Sequence, residues 1–201
     1  MTDSPGTASV SPNLHKYTYQ NGFYQRHLQA FLGRIHALLA TTDATRVLDA
    51  GCGEGFVTDY LARHNPALTL TGVDLSDEAI AYAQEHFGER ATFRTGSVYK
   101  LPFSDNSFDA VVCSEVLEHL DDPDRAVAEL KRVARHHVLI TVPREPYFQW
   151  LNVIGQKLGI SPDPEHVNFW TKTTFQQYMK LHFERVAFEW KHLYQLALAE
   201  V

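Results

Sequence analysis

Few folds accommodate a buried strand that runs directly into a glycine-rich turn, and this chain has one at residues 46–55. The segment reads Val47-Leu48-Asp49-Ala50-Gly51-Cys52-Gly53-Glu54-Gly55. Glycines at alternate positions permit a positive φ and let a ligand approach the backbone with no Cβ in the way. A helical pattern follows over 56–64. A strand–turn–helix unit of this kind places a ligand at the carboxyl end of its strand.

Strands and helices alternate along most of the chain. Apolar strands are predicted at 46–50, 68–73, 91–94, 108–113 and 137–142, and helices at 14–40, 56–64, 77–87, 123–135 and 174–181. Ser76 and Asp122 stand where the N-caps of two of these helices belong. Residues 183–190 and 194–201 form a predicted antiparallel pair. This order indicates an α/β fold, a doubly wound Rossmann-like sheet of about seven strands with helices on both faces.

The chain divides into a tail, one domain and an insertion within that domain. Residues 1–13 are rich in Ser, Thr, Pro and Gly and are predicted to be disordered. Residues 14–201 are predicted to form a single domain, because a chain of 201 residues suits one hydrophobic core. The segment 143–170 interrupts the strand–helix rhythm with four prolines and an aromatic stretch. We expect it to be an insertion that covers the acceptor site.

Composition limits the classes of partner. The net charge of −6 and the lack of a basic patch argue against nucleic-acid binding. No stretch reaches the roughly 18–20 apolar residues of a membrane span. The aromatic part of the insertion, 147–160, carries one charged residue, so peripheral contact with a bilayer is an alternative to its role as a pocket cover. Two cysteines, Cys52 and Cys113, form no disulfide pattern, and we expect a reduced, cytoplasmic protein.

The ligand of the glycine turn is predicted from the carboxylates around it. Asp74 ends the second strand about 20 residues beyond the turn, where a carboxylate can accept hydrogen bonds from both ribose hydroxyls. The glycines follow the spacing G-x-G-x-G rather than the G-x-G-x-x-G of dinucleotide sites, and Asp49 precedes them. This carboxylate would repel a pyrophosphate, whereas it suits the ammonium and sulfonium groups of S-adenosylmethionine (SAM). SAM is therefore the predicted cofactor.

Four segments carry a family resemblance. VLDAGCGEG, GVDLS, TGSVYKLPF and SFDAVVCSEVLEHL occur in this order over 46–142. Together they resemble the class I SAM-dependent methyltransferases, especially the methyltransferase type 11 group that includes ubiquinone-pathway O-methyltransferases. The resemblance implies that Asp49, Gly51 and Gly53 surround the methionine part of SAM and that Asp74 holds its ribose. The complete set of predicted cofactor-binding residues is Asp49, Gly51, Cys52, Gly53, Asp74, Leu75, Ser97, Val98 and Ser114.

The predicted adenine site departs from the family at Ser97. Many relatives have an acidic residue there, which accepts from the adenine amino group. Serine offers a single hydroxyl for the same purpose, and a simple turn serine is the alternative. Val98 is small enough to pack on the adenine ring. Leu75 is expected on the other face of the ring, unless it is an ordinary core leucine.

The segment after the fourth strand supplies the candidate chemistry. Methyl transfer needs mainly orientation of the acceptor, and a base or metal only if the acceptor must lose a proton. A helical conformation would place Glu115, Glu118 and His119 on one face at i, i+3 and i+4. With His166, E-x-x-E-H resembles the metal site of small-RNA 2′-O-methyltransferases, so a divalent metal such as Mg²⁺ is one hypothesis. The others are that His119 acts as a base or positioning group, or that these residues only order the loop; His166 could equally cap a turn.

Three functions therefore remain open at the level of sequence. The first is methylation of a small-molecule acceptor, at an oxygen. The second is metal-assisted RNA 2′-O-methylation, and the third is a non-catalytic, regulatory SAM-binding domain. An Asn-Pro-Pro-Tyr type of motif, typical of base N-methylation, is absent after the fourth strand. Aromatic residues are hypothesised to contact the SAM sulfonium (Tyr17 and Tyr19) or to line the acceptor pocket (Tyr147, Phe148 and Trp150).

Overall fold

The computed structural model describes residues 22–145, 166–191 and 193–201. Strands and helices alternate as the sequence predicts. The described elements are α1 (Gly22–Leu39), β1 (Arg46–Ala50), α2 (Phe56–His64), β2 (Thr69–Asp74), α3 (Asp77–Phe87), β3 (Thr92–Thr95), β4 (Phe108–Ser114), a 3₁₀ turn (Leu117–His119), α4 (Pro123–Val133), β5 (Ala134–Pro143), α5 (Lys172–His182), β6 (Val186–Lys191) and β7 (Tyr194–Glu200).

One seven-stranded sheet organises the domain, with the order β3-β2-β1-β4-β5-β7-β6. The first five strands are mutually parallel, and β7 is antiparallel to both β5 and β6. The chain extends from β1 outward through β2 and β3, then crosses back to place β4 on the other side of β1. A sheet of this kind has a crevice at the carboxyl ends of the strands where the order reverses. Here that crevice lies between β1 and β4.

Helices cover both faces of the sheet. One face buries apolar residues of α1 and α2 with strand residues such as Val47, Val112 and Leu139. The opposite face buries residues of α4 and α5 with the intervening strand residues, including Leu48 and Ile140. The central strands are buried on both sides because each helix layer takes alternate side chains. None of the helices in the described ranges is long and apolar enough to span a membrane.

Several element bounds agree with the sequence prediction, and others are displaced by one to a few residues. The strand 46–50 and the helices 56–64 and 77–87 are confirmed. Ser76 and Asp122 accept hydrogen bonds from backbone N–H groups of the helices that they cap. The helix predicted over 123–135 ends at Val133, because Ala134 pairs with Phe108 and begins β5. Sheet pairing overrides the helical pattern at this point.

Hydrogen bonds join the two ends of the predicted insertion. The buried Gln195 side chain donates from Nε2 to the carbonyl oxygens of both Pro143 (3.2 Å) and Trp170 (2.7 Å). The backbone N–H of Glu145 also donates to Trp170 O, at 3.0 Å. The two ends of the insertion are thereby held together beside β7. Most of the predicted insertion lies outside the described residues, as do the predicted tail 1–13, Tyr17, Tyr19, Tyr147, Phe148 and Trp150.

Candidate cofactor and active site

The glycine turn after β1 has the conformation that its sequence requires. Gly51, Gly53 and Gly55 all have positive φ, at 79°, 51° and 84°. The backbone N–H groups of Gly51 and Cys52 both donate to Val73 O, at 2.7 and 3.0 Å, so the turn is fixed to the end of β2. A Cβ on Gly51 would lie 2.4 Å from Val116 Cγ2. Glycine is therefore required here for both its φ and its size.

Asp49 is a buried carboxylate at the end of β1. It is 1% exposed, and its Oδ2 accepts a hydrogen bond of 2.6 Å from the Thr58 hydroxyl. Burial raises the pKa of Asp49 to about 6, against the lowering effect of the Thr58 hydrogen bond; the charge of Asp74 raises it further. A cationic ligand in contact with Asp49 would lower this pKa and bind more tightly to the ionised form.

Asp74 is held at the mouth of the turn by two backbone donors. Gly53 N donates to Oδ2 at 2.8 Å and Ser76 N donates to Oδ1 at 2.9 Å. These bonds fix the orientation of the carboxylate, and each oxygen keeps lone-pair capacity for a further donor. The geometry suits the predicted contact with two ribose hydroxyls.

A cavity of about 180 Å³ opens between the glycine turn and the segment that follows β4. Carboxylates dominate its ionisable lining, and His119 is the single basic residue among the described residues that line it. This charge distribution favours a cationic ligand such as SAM. The lining residues are Asp49, Gly51, Cys52, Gly53, Glu54, Phe56, Val57, Asp74, Ser114, Glu115, Val116 and His119.

The predicted adenine contacts lie outside this cavity lining. Leu75 is 75% exposed, so it is not a core leucine, and its side chain is available for a flat ligand. The Ser97 hydroxyl accepts a hydrogen bond from Tyr99 N at 3.2 Å, which is the geometry of a turn serine. Val98 is 9% exposed and packs into the core on one side of the sheet.

The predicted helical face of Glu115, Glu118 and His119 is wrong. Glu115 has a φ of 57°, which is left-handed, and only Leu117–His119 forms a 3₁₀ turn. The reason is that β4 extends to Ser114, one residue beyond its predicted end, and the Glu115 backbone N–H donates to Thr141 O at 3.1 Å. The Glu115 carboxylate consequently accepts from the Thr141 hydroxyl, at 3.1 Å.

Glu118, His119 and His166 do come together. One potential ligand atom from each lies within 4.8 Å of the others, and the two imidazole ring centroids are 4.8 Å apart. Glu115 does not belong to this group. One buried carboxylate and two imidazoles are a suitable donor set for a divalent transition metal. Among the described residues, three of the four predicted metal ligands therefore come together.

Asn168 explains how the distant His166 reaches the 3₁₀ turn. Its side-chain amide donates to Leu117 O at 3.0 Å and to Leu120 O at 2.6 Å. The backbone N–H groups of Val167 and Asn168 both donate to Glu118 O, at 2.8 and 3.0 Å. Residues 166–170 are thus fixed against the turn, and His166 lies at the edge of the site.

Several residues at the site were not identified from the sequence, among them the lining residues Glu54, Phe56 and Val57. Thr58 caps the Asp49 carboxylate, Val116 packs against Gly51, and Thr141 holds Glu115. The signal for Thr141 was a hydroxyl in the otherwise apolar run Val138–Val142, since a buried polar group needs a partner. Thr58 and Val116 stand among ordinary helix and loop residues and carry no comparable signal.

Comparison with known proteins agrees with this geometry. Residues 48–142 match the family described as a methyltransferase domain. An uncharacterized methyltransferase of Schizosaccharomyces pombe is 42% identical over 134 residues, which cover 56% of this chain and 48% of that protein. A ubiquinone biosynthesis O-methyltransferase of Alkalilimnicola ehrlichii is 32% identical over 146 residues, covering 69% of this chain and 58% of that protein. The chain spans about half the length of these curated relatives.

The fold has close structural counterparts as well. The crystal structure of the methyltransferase domain of bacterial CtHen1 superimposes with a TM-score of 0.70 at 24% identity, covering 87% of this chain and 100% of that one. At this level of identity the likeness concerns the fold. Together with the sequence motifs and the strand order, the methyltransferase-domain match over 48–142 and these relatives support a class I SAM-dependent methyltransferase.

Proposed function

We propose that this protein transfers the methyl group of SAM to an oxygen atom of a small-molecule acceptor. The observation that carries the proposal is the composition of one cavity. Its lining joins the glycine turn and Asp74 to Glu115 and His119, so a candidate cofactor site and a candidate proton acceptor share the same space. A non-catalytic SAM-binding domain would have no need of such polar groups beside the methyl position.

Each residue of the cavity has a role in this scheme. SAM would supply a methyl group activated by its sulfonium: the acceptor oxygen would attack the methyl carbon in line as the carbon–sulfur bond breaks, and the demethylated thioether would leave. Asp74 would hold the ribose, and the turn at Gly51 and Gly53 would receive the methionine part near Asp49. His119 would accept the proton that an acceptor hydroxyl loses as it is methylated. Orientation of the two reactants would account for most of the rate, about 7–11 kcal/mol of the barrier in well-oriented systems.

The choice of oxygen is supported by the relatives. The 32% identical protein of Alkalilimnicola ehrlichii is named as an O-methyltransferase. The net charge of −6 favours a neutral or cationic small molecule over a polyanion.

Calorimetry on the purified chain tests the cofactor assignment. SAM and its demethylated product, S-adenosylhomocysteine (SAH), should both bind. Asp74→Ala should weaken binding about a hundredfold or more, since each hydrogen bond to a charged group contributes roughly 1.5–3 kcal/mol. Asp43→Ala, at an exposed carboxylate before β1, is the matched control. No heat with either ligand, or equal affinity for both variants, would refute the assignment.

A methyl-transfer assay tests the acceptor. Radiolabelled SAM is incubated with catechols of increasing alkyl chain length and with the corresponding aromatic amines, and the product is analysed for O-, N- and C-methylation. His119→Ala should lower the rate about 10²–10⁴-fold, as expected for loss of a general base, while SAH affinity remains within a few fold. A labelled N-methyl or C-methyl product would contradict the oxygen assignment.

A second candidate is metal-assisted RNA 2′-O-methylation, and the observation that favours it is the cluster of Glu118, His119 and His166. In this case the cluster would bind a divalent ion that activates a ribose hydroxyl. Titration with Mn²⁺ should then show one site that His166→Ala removes, with the exposed His136→Ala as control. Methylation of an RNA oligonucleotide by the Mn²⁺-loaded protein would favour this candidate, and equal Mn²⁺ binding by both variants would exclude it.

A further inference from the structure

Thr141 is a buried hydroxyl in the middle of an apolar strand. It is fully buried, and its neighbours on β5, Ile140 and Val142, are both core residues. In the sheet it is paired with Ser114, the last residue of β4. A buried hydroxyl lowers stability unless it is hydrogen-bonded, so the partners of Thr141 indicate what it does.

Both side-chain partners of Thr141 line the cofactor cavity. Its hydroxyl donates to Glu115 Oε1 at 3.1 Å and lies 3.0 Å from Ser114 Oγ. Ser114 and Glu115 are lining residues, whereas Thr141 is not. Thr141 therefore affects the cavity indirectly, through these two lining residues.

Proton count fixes the direction of this short chain. The Thr141 hydroxyl has one proton, and a carboxylate can only accept, so that proton lies in the bond to Glu115. With Glu115 ionised, Ser114 is placed to donate its own proton to Thr141. In that arrangement Ser114 has lone pairs left that can accept from a donor group in the cavity.

The same contacts hold an unfavourable backbone conformation. Glu115 has a left-handed φ of 57°, a conformation that L-residues other than glycine and asparagine rarely adopt. Two bonds to Thr141 hold it there: the backbone N–H to Thr141 O at 3.1 Å and the carboxylate to the hydroxyl. The next residue, Val116, consequently lies against Gly51 of the cofactor turn.

We propose that Thr141 is a positioning residue that sets the conformation of Ser114, Glu115 and Val116 and thereby shapes the SAM cavity. It acts mainly through Glu115, which it contacts by both its carbonyl and its hydroxyl, with Ser114 as a second contact, and it touches no substrate itself. The proposal rests on the proposed function in that SAM and SAH are taken as the occupants of this cavity. It adds a residue of β5 to a site otherwise built from the ends of β1, β2 and β4.

The test compares SAH affinity, measured by calorimetry, for Thr141→Val and Thr141→Ser. Valine keeps the volume and removes the hydroxyl, and we expect it to weaken SAH binding about tenfold; serine keeps the hydroxyl and should bind within twofold of wild type. Thr71→Val, at a half-buried threonine of the parallel strand β2 that lies outside the cavity lining, is the control and should bind as wild type does. If Thr141→Val does not fold, Thr141→Cys replaces it with the same expectation.

A double-mutant cycle separates positioning from general stability. If Thr141 acts through Glu115, then Thr141→Val in a Glu115→Ala background should change SAH affinity by less than twofold. Three results would each overturn the proposal: full additivity of the two substitutions in SAH affinity, wild-type SAH affinity in folded Thr141→Val, or equal losses of SAH affinity in Thr141→Val and Thr141→Ser. Absence of SAM and SAH binding by the wild-type chain would instead refute the proposed function.

Discussion

Replacing Asp49 by Asn should stabilise the fold and weaken the cofactor site. Burial raises the pKa of Asp49 from 3.8 to about 6, so the native state binds a proton more tightly than the unfolded chain does. The free energy of unfolding therefore falls as pH rises from 4 through 6. A pKa difference of this size corresponds to a loss of about 3 kcal/mol in the free energy of unfolding above pH 6. Asparagine has no charge to desolvate, and its side-chain oxygen can still accept from Thr58.

Urea denaturation across a pH series measures this effect. At pH 7.5 the Asp49→Asn variant should be more stable than wild type by about 3 kcal/mol. Below pH 4 the difference should vanish, because Asp49 is then protonated in both states. The exposed Asp43→Asn is the control and should remain within about 0.5 kcal/mol of wild type throughout. A difference between Asp49→Asn and wild type that is equal at pH 3.5 and 7.5 would refute the reasoning.

Three further substitutions test individual contacts. Gly51→Ala should lower the free energy of unfolding by roughly 2–4 kcal/mol in urea denaturation, because alanine is strained at a left-handed φ and its Cβ clashes with Val116. Adding Val116→Ala should restore only the part of this loss that comes from the clash. An unchanged free energy of unfolding in Gly51→Ala would contradict this reasoning. Leu75→Ser should weaken SAH binding severalfold and leave the free energy of unfolding unchanged. Leu181→Ser, at another exposed leucine, is the control and should change neither SAH affinity nor stability. Equal SAH affinity of the two variants would show that Leu75 is not part of the site. Asn168→Ala should cost about 1–3 kcal/mol in the same denaturation assay through its two lost hydrogen bonds, and a neutral effect would show that the 3₁₀ turn is held by other contacts.

The sequence predicted those parts of the fold whose signals are local. β1 and α2 were predicted to the residue because a glycine turn separates them, and α3 because Ser76 caps it. The start of β5 was not predicted, since Ala134-Arg135-His136 has no apolar run and continues the pattern of α4. Its strand conformation comes from pairing with β4, which a single segment does not reveal.

The candidate site shows the same division. The glycine turn and Asp74 were identifiable because short sequence motifs at the ends of β1 and β2 indicate their chemistry. The conformation of Glu115 was not, because it depends on hydrogen bonds to Thr141, 26 residues along the chain. The group formed by Glu118, His119 and His166 likewise depends on Asn168, whose bonds to the 3₁₀ turn span about 50 residues. Regular periodicity carries no information about such contacts.

The Gln195 amide joins the two ends of the predicted insertion. It bonds the carbonyl oxygens of Pro143 and Trp170, so the end of β5 and the residue before the N-cap of α5 are held at one point beside β7. Asn168 adds a second attachment through its bonds to Leu117 and Leu120. A segment of another length grafted between Glu145 and His166 would keep both attachments, and its closure would cost about 0.6 kcal/mol for each doubling of length. If the insertion covers the acceptor site, as the sequence predicts, such an exchange would alter acceptor preference while SAH affinity stays the same.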